Sequence, residues 1–301
     1  MVKKLDHTRL SKFSRSRFTE IWVPISKDRN DLILVVDEFL RRVPFSAEES
    51  IGLKMVDFAT FIENQSSGNM LDPIEVSIRE LLSWAHFIIS LAPKNVTQLY
   101  ESYFHGAHLA ILDGLGAGLS VSRTTVEVLR SSSLNYLLQQ CPPDLTSNYS
   151  AALRDPINLH INDLNVRVGP FSISREPTIC NNQQYVLNSP VTKRNMLRLL
   201  RAMQIARPIL LEGPPGVGKS SVIACLAEIT GRKLVRINLS EHTELADLLG
   251  SDLPCMENSD GSQIKFQWVD GVFLTALKRG DWVLLDELNL APQAVLEGEV
   301  Y

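Results

Sequence analysis

Cysteine is scarce in this sequence. Cys141, Cys180, Cys225 and Cys255 are far apart and form no CxxC pair, which argues against a zinc ribbon or a thiol–disulfide motif. They read as reduced thiols of a cytosolic or nuclear protein. No apolar run reaches the roughly 18 residues of a membrane-spanning helix, and the N-terminus lacks the apolar core of a secretory signal. Asn95-Val96-Thr97 and Asn148-Tyr149-Ser150 match the glycosylation sequon, a match that matters only in a secreted chain. A basic excess is missing too. Lys and Arg number 30 against 34 Asp and Glu, leaving a net charge of -4, so there is no electrostatic footprint for nucleic acid or an anionic membrane. Lys3, Lys4, Arg9, Lys12, Arg15 and Arg17 form one basic cluster, either a solvated face or a short RNA-binding arm. A soluble intracellular protein with no membrane partner and no direct nucleic-acid contact is expected.

What is present is ordinary globular material. The chain has 301 residues, 45% of them hydrophobic, a length that suggests about two domains. The first part reads as mostly helical. A short strand is expected over 18–23. Leu32, Val35, Val36, Phe39 and Leu40 recur at helical spacing between Asp28 and Val43. Ser46 with Glu49 has the form of a capping box for a helix over 47–64. Further helices are expected near 74–91, 96–113 and 122–140. His105 and His108 lie one helical turn apart, but no third ligand accompanies them, and core histidines are the simpler reading. Cys141-Pro142-Pro143-Asp144 breaks the pattern. The divisions expected are 1–140, a linker over 141–162, and 163–301.

The last part alternates strands and helices. Residues 164–173 alternate apolar and polar, Ser189-Pro190 opens a helix, and Pro208-Ile209-Leu210-Leu211 reads as a short buried strand. A helix over 219–230 closed by Gly231 follows, then a strand over 233–239, a helix over 271–279 and a strand over 282–285. Phe266 and Trp268 line either a buried hairpin or a binding surface. This β-α-β order predicts an α/β fold with a parallel sheet.

Gly213-Pro214-Pro215-Gly216-Val217-Gly218-Lys219-Ser220 fits GxxxxGK[ST] at every position, between an apolar segment and a helix. The glycines let backbone amides face phosphate oxygens, and the helix N-terminus adds partial positive charge. Lys219 would neutralise β- and γ-phosphates, and Ser220 would ligate Mg²⁺. With Ser221, these residues are the candidate ATP cradle. Trp282-Val283-Leu284-Leu285-Asp286-Glu287 brings two carboxylates to a strand's C-terminal edge, where open α/β sheets bind ligands. Asp286 is the second candidate magnesium ligand and Glu287 the candidate general base. Asn289 would orient the acids or serve helix entry.

Beyond these motifs, NSPVTKRNMLRLLRAMQ, RPILLEGPPGVGKSS, RINLSEHTELADLLGSDLP and FQWVDGVFLTALKRGDWVLLDELNLA resemble an AAA+ module of the midasin family, the dynein-related ATPases of large ribosomal subunit assembly. Residues 13–21 resemble the segment ending in an arginine finger, with Arg17 as the candidate and Arg15 as second. Residues 74–88 resemble the helical lid carrying the sensor 2 arginine, which falls on Arg79. The resemblance therefore implies the back half of one AAA+ module over 1–140 and the front half of the next over 163–301. It implies ATP and Mg²⁺ as cofactors, neighbouring AAA+ modules and pre-60S particle proteins as partners, and a nucleolar and nucleoplasmic location. In that family the sensor 1 strand lies between the P-loop and Walker B strands. The chain stops at Tyr301 before reaching it, which implies a truncated product, an isoform or an incomplete gene model, and weak turnover. A nucleotide-binding or interaction module without turnover, and a MoxR-like AAA+ chaperone, are the alternatives.

Overall fold

A computed structural model describes residues 28–67, 74–116, 122–146, 158–176, 189–256 and 264–297. The strand expected over 18–23 lies outside them. Two compact units are present: one takes in the chain up to Pro156 together with Arg201–Leu210, the other Ile157–Leu200 and Leu211 onward.

The first unit is helical. It contains α1 (Arg29–Leu40), α2 (Ile51–Ser67), α3 (Ile78–Leu91), α4 (Val96–Ala107) and α5 (Arg123–Gln139). Four of these start where the sequence supplies a capping oxygen. Asp28 accepts from the Asn30 and Asp31 amides, Ser77 from Arg79, Asn95 from Gln98 and Ser122 from Thr125, satisfying donors that a helix start leaves unpaired. Leu40, Met55, Phe58, Leu81, Trp84 and Tyr103 make the centre of one continuous core. Trp84 meets Phe58 edge to face at 5.6 Å, and its Nε1 donates to the Tyr103 carbonyl at 2.9 Å. Gly106 permits that approach, since a Cβ there would lie 2.3 Å from Trp84 Cδ1.

The capping box expected at Ser46 and Glu49 does not form. Ser46 Oγ instead donates to the Leu40 and Val43 carbonyls at 3.1 and 2.8 Å, and Glu49 accepts from the Tyr100 hydroxyl at 2.7 Å. Phe45 and Ser50 both adopt positive φ, so the backbone turns twice before α2 can start at Ile51. Past α4 the helix widens into a π-helical turn, His108–Leu112. His105 is a buried core residue there. Its imidazole titrates well below its ordinary range, chiefly because burial disfavours the charged form; the Arg201 guanidinium and His108 push the same way, while Asp113 opposes. Arg201 Nη1 donates to Asp113 Oδ2 at 2.5 Å. Among the described residues, no three His, Cys, Asp or Glu side chains gather as a metal site.

The second unit carries the sheets. β1 (Leu159–Ile161), β2 (Asn165–Val168) and β3 (Phe171–Ser174) form an antiparallel meander. Next come α6 (Pro190–Ala202), which ends in the first unit, and α7 (Lys219–Thr230). They are followed by β4 (Leu234–Asn238), α8 (Leu245–Leu249), β5 (Gly250–Met256), β6 (Ile264–Asp270), α9 (Val272–Arg279) and β7 (Trp282–Asp286). A 3-10 turn (Leu288–Leu290) and α10 (Gln293–Glu297) complete the order. β4 and β7 pair in parallel, from Leu234 beside Trp282 to Asn238 beside Asp286. Ile237, Leu239 and Leu248 form the core beneath them, with Phe273, Val283 and Leu285 packed against it. The α/β class expected from the sequence is thus present, with a two-stranded parallel pair at its centre.

One expectation fails here, and one pair of alternatives is narrowed. Pro208–Leu211 is not a strand, and Leu210 is 73% exposed. A strand needs a ladder partner for its amides and carbonyls, and among the described residues none runs beside this segment. The hairpin of β5 and β6 exists, but it is not buried: Phe266 is 70% and Trp268 50% exposed. Among the described residues the two strands pair only with each other. Trp268 Nε1 donates to Asp270 Oδ1 at 2.8 Å, and Lys278 Nζ donates to Asp270 Oδ2 at 2.5 Å, which fixes the hairpin's base to α9.

Candidate nucleotide-binding site

The site grows from one turn and one strand end. Gly216 and Gly218 sit at φ +78° and +83°, a region open to glycine and costly for other residues. A Cβ at either would meet nothing within 4 Å, so the backbone conformation, not lack of room, requires glycine. Released by that turn, α7 starts at Lys219 and runs twelve residues to the left-handed Gly231, whose amide donates to the Ala227 and Glu228 carbonyls. The first-turn amides of such a helix have no intrahelical acceptor and carry positive partial charge. Lys219 Nζ lies over the loop, donating to the Gly213 carbonyl at 2.8 Å and the Pro214 carbonyl at 3.0 Å. Pro214, Pro215 and Val217 are exposed along the same turn, as is Ser221 on the first turn of α7.

β7 brings Asp286 to the same place. Ser220 Oγ donates to Asp286 Oδ2 at 3.1 Å, joining two residues 66 positions apart. Asp286 Oδ1 accepts from the Glu287 amide at 3.2 Å. Arg236 on β4 donates to Asp286 Oδ2 through Nε at 2.9 Å and also through Nη2. The Arg236 guanidinium is the main reason that the Asp286 carboxyl titrates below the usual carboxylate range; desolvation opposes it, and the Ser220 hydroxyl and Glu287 amide add to the lowering.

Glu287 is exposed and left-handed, at φ 57° and ψ 43°. A non-glycine residue held there stores local strain of the kind that clusters at functional sites. Asn289 is exposed in the following 3-10 turn. Ser220, Asp286 and Glu287 are therefore together, while Arg79 stands exposed on the first turn of α3 in the other unit. Arg15 and Arg17 lie outside the described residues. Arg236 was not anticipated. The available signal was a lone cation inside the apolar run Leu234-Val235-Arg236-Ile237 of a strand next to the acid-bearing one.

A hydroxyl and a carboxylate are hard oxygen donors of the type that suits Mg²⁺. A glycine turn, a helix N-terminus and a lysine suit phosphate. The donor set thus fits a magnesium–nucleotide pair.

Comparison with known proteins agrees with this chemistry. Residues 208–298 match the AAA domain (dynein-related subfamily), a span containing both the glycine turn and the two acids. Midasin of Dictyostelium discoideum is 40% identical over 302 residues, covering 96% of this chain. Midasin of Giardia intestinalis is 37% identical over 310 residues, again 96% of this chain. The chain belongs to the midasin family. It spans 5% and 6% of the lengths of those two midasins. A shorter likeness, 35% over 94 residues, links it to an uncharacterized protein of Staphylococcus saprophyticus. Because the midasin likeness runs through 96% of the chain, it takes in the helical unit as well as the glycine turn.

Proposed function

We propose that this chain binds Mg-ATP through residues 213–221 and Asp286, as part of an AAA+ motor module that hydrolyses it. The observation that carries the reading is the 3.1 Å bond from Ser220 to Asp286, which unites the glycine turn with the acidic strand end. The loop amides and Lys219 would hold the phosphates. Ser220 and Asp286 would hold Mg²⁺, which when bound offsets charge on the β- and γ-phosphate oxygens. Glu287 acts as general base on the attacking water, and Asn289 orients the acids.

Residues 1–140 serve as the back half of a preceding module and 163–301 as the front half of the next, joined by 141–162. In that arrangement Arg17, or Arg15, and Arg79 address nucleotide held by other modules. The midasin resemblance supports a place in the remodelling of pre-60S particles in the nucleolus and nucleoplasm.

A second reading, nucleotide binding without turnover, draws support from the segment Pro208–Leu211, which has no ladder neighbour among the described residues. Calorimetry with Mg-ATP, with phosphate release followed in the same sample, separates the two. Binding with release supports the motor, and binding alone supports the second reading. Equal binding by parent and Lys219→Ala removes the site assignment.

A further inference from the structure

Asp286 Oδ2 receives two kinds of partner at once: the Ser220 hydroxyl at 3.1 Å, and Arg236 through Nε at 2.9 Å and through Nη2. The arrangement is dictated by strand pairing. β4 and β7 run parallel in register, with Arg236 beside Leu284 and Asn238 beside Asp286. Paired residues in a ladder share a face, and so do alternate residues along a strand. Arg236 therefore stands on the Asp286 face, one alternate position before its end. The guanidinium is 58% exposed and its carboxylate partner 20%, so Arg236 can swing into water without leaving a buried charge unpaired. Lys219, the other cation of the site, is turned toward the Gly213 and Pro214 carbonyls.

We propose that Arg236 is a positioning residue that competes with the divalent cation for Asp286. This rests on the magnesium–nucleotide reading above. A carboxylate oxygen that serves a guanidinium has less negative potential to offer Mg²⁺, and cations of like sign at one oxygen repel. Arg236 thus holds Asp286 in place beside Ser220 and releases it as the metal arrives with nucleotide. The consequence is a site whose preference for the metal-bound nucleotide is smaller than the ligands alone would give.

The test compares ATP affinity in excess Mg²⁺ with ATP affinity in EDTA, by calorimetry, on the full chain. The ratio of the two affinities measures how far the metal assists binding. Arg236→Gln should raise that ratio about two- to fivefold, the range expected for an exposed ion pair, through tighter binding in Mg²⁺ with little change in EDTA. Arg236→Lys retains a cation beside Asp286 and should stay within about twofold of the parent. An unchanged or smaller ratio in Arg236→Gln, with binding intact, overturns the role of Arg236 alone. Absence of ATP binding by the parent in both conditions overturns the nucleotide reading and this proposal with it.

Discussion

Replacing Glu287 by glycine should leave the second unit more stable than replacing it by alanine, which inverts the usual order of these residues. The cause is the backbone at φ 57° and ψ 43°. Holding a side-chain-bearing residue in that left-handed region costs about 1–2 kcal/mol. Alanine keeps this strain and glycine removes it. Against that, glycine gives up about 0.5–1 kcal/mol in backbone entropy on folding. The difference is about 0–1.5 kcal/mol, with a middle value of about 0.75 kcal/mol in favour of glycine. Glu287 is exposed, so loss of its side chain adds little in either variant. Glu287→Gln keeps both the strain and the side-chain volume, and should unfold with the parent. The assay is a urea series with amide exchange read on peptides from β4 and β7, which reports on this unit alone. None of the three variants should release phosphate above background. An alanine variant as stable as the glycine variant, or more stable, would refute the argument that strain is stored at the base.

In the helical unit, Gly106→Ala should destabilise by about 1–2 kcal/mol net, because overpacking outweighs the better helix propensity of alanine. The new Cβ would sit 2.3 Å from Cδ1 and 2.6 Å from Nε1 of Trp84, a fully buried ring; a urea midpoint equal to the parent's would contradict this. The same unit should weaken as pH falls. His105 titrates well below its ordinary range when folded, so below about pH 6.5 the unfolded chain takes up a proton that the folded chain does not. Stability should be full above that pH and decline toward pH 5 by up to ~1.4 kcal/mol per pH unit. His105→Phe should flatten that slope, and an equally steep slope in the variant would place the titration elsewhere.

The most legible parts of the sequence were those governed by local rules. Lys219–Thr230 is a helix because a glycine turn releases it and Gly231 closes it, and both ends are visible as residue types. Asp28, Ser77, Asn95 and Ser122 cap the helices of the other unit through equally short-range contacts. What failed depended on distant partners. Ser46 has the right spacing to Glu49 for a cap, yet the Leu40 and Val43 carbonyls take its hydroxyl and Tyr100 takes Glu49. Pro208–Leu211 has a strand's composition without a ladder neighbour among the described residues. The apolar side chains of β6 gave no sign of whether anything would cover them. At the site, Ser220 and Asp286 were readable as separate motifs, and their contact follows from the motifs. Arg236 is legible in the sequence only as a cation inside an apolar run, and its place beside Asp286 follows from the register of β4 against β7.

The central claim is that the glycine turn and Asp286 form one magnesium–nucleotide site. Titrating Mg-ATP into the purified chain by calorimetry, beside the Lys219→Ala variant, tests it most directly. The account predicts saturable binding by the parent and its loss in the variant, with both proteins giving the same far-UV spectrum. Binding of equal strength in the two, or no binding by a folded parent, would contradict it.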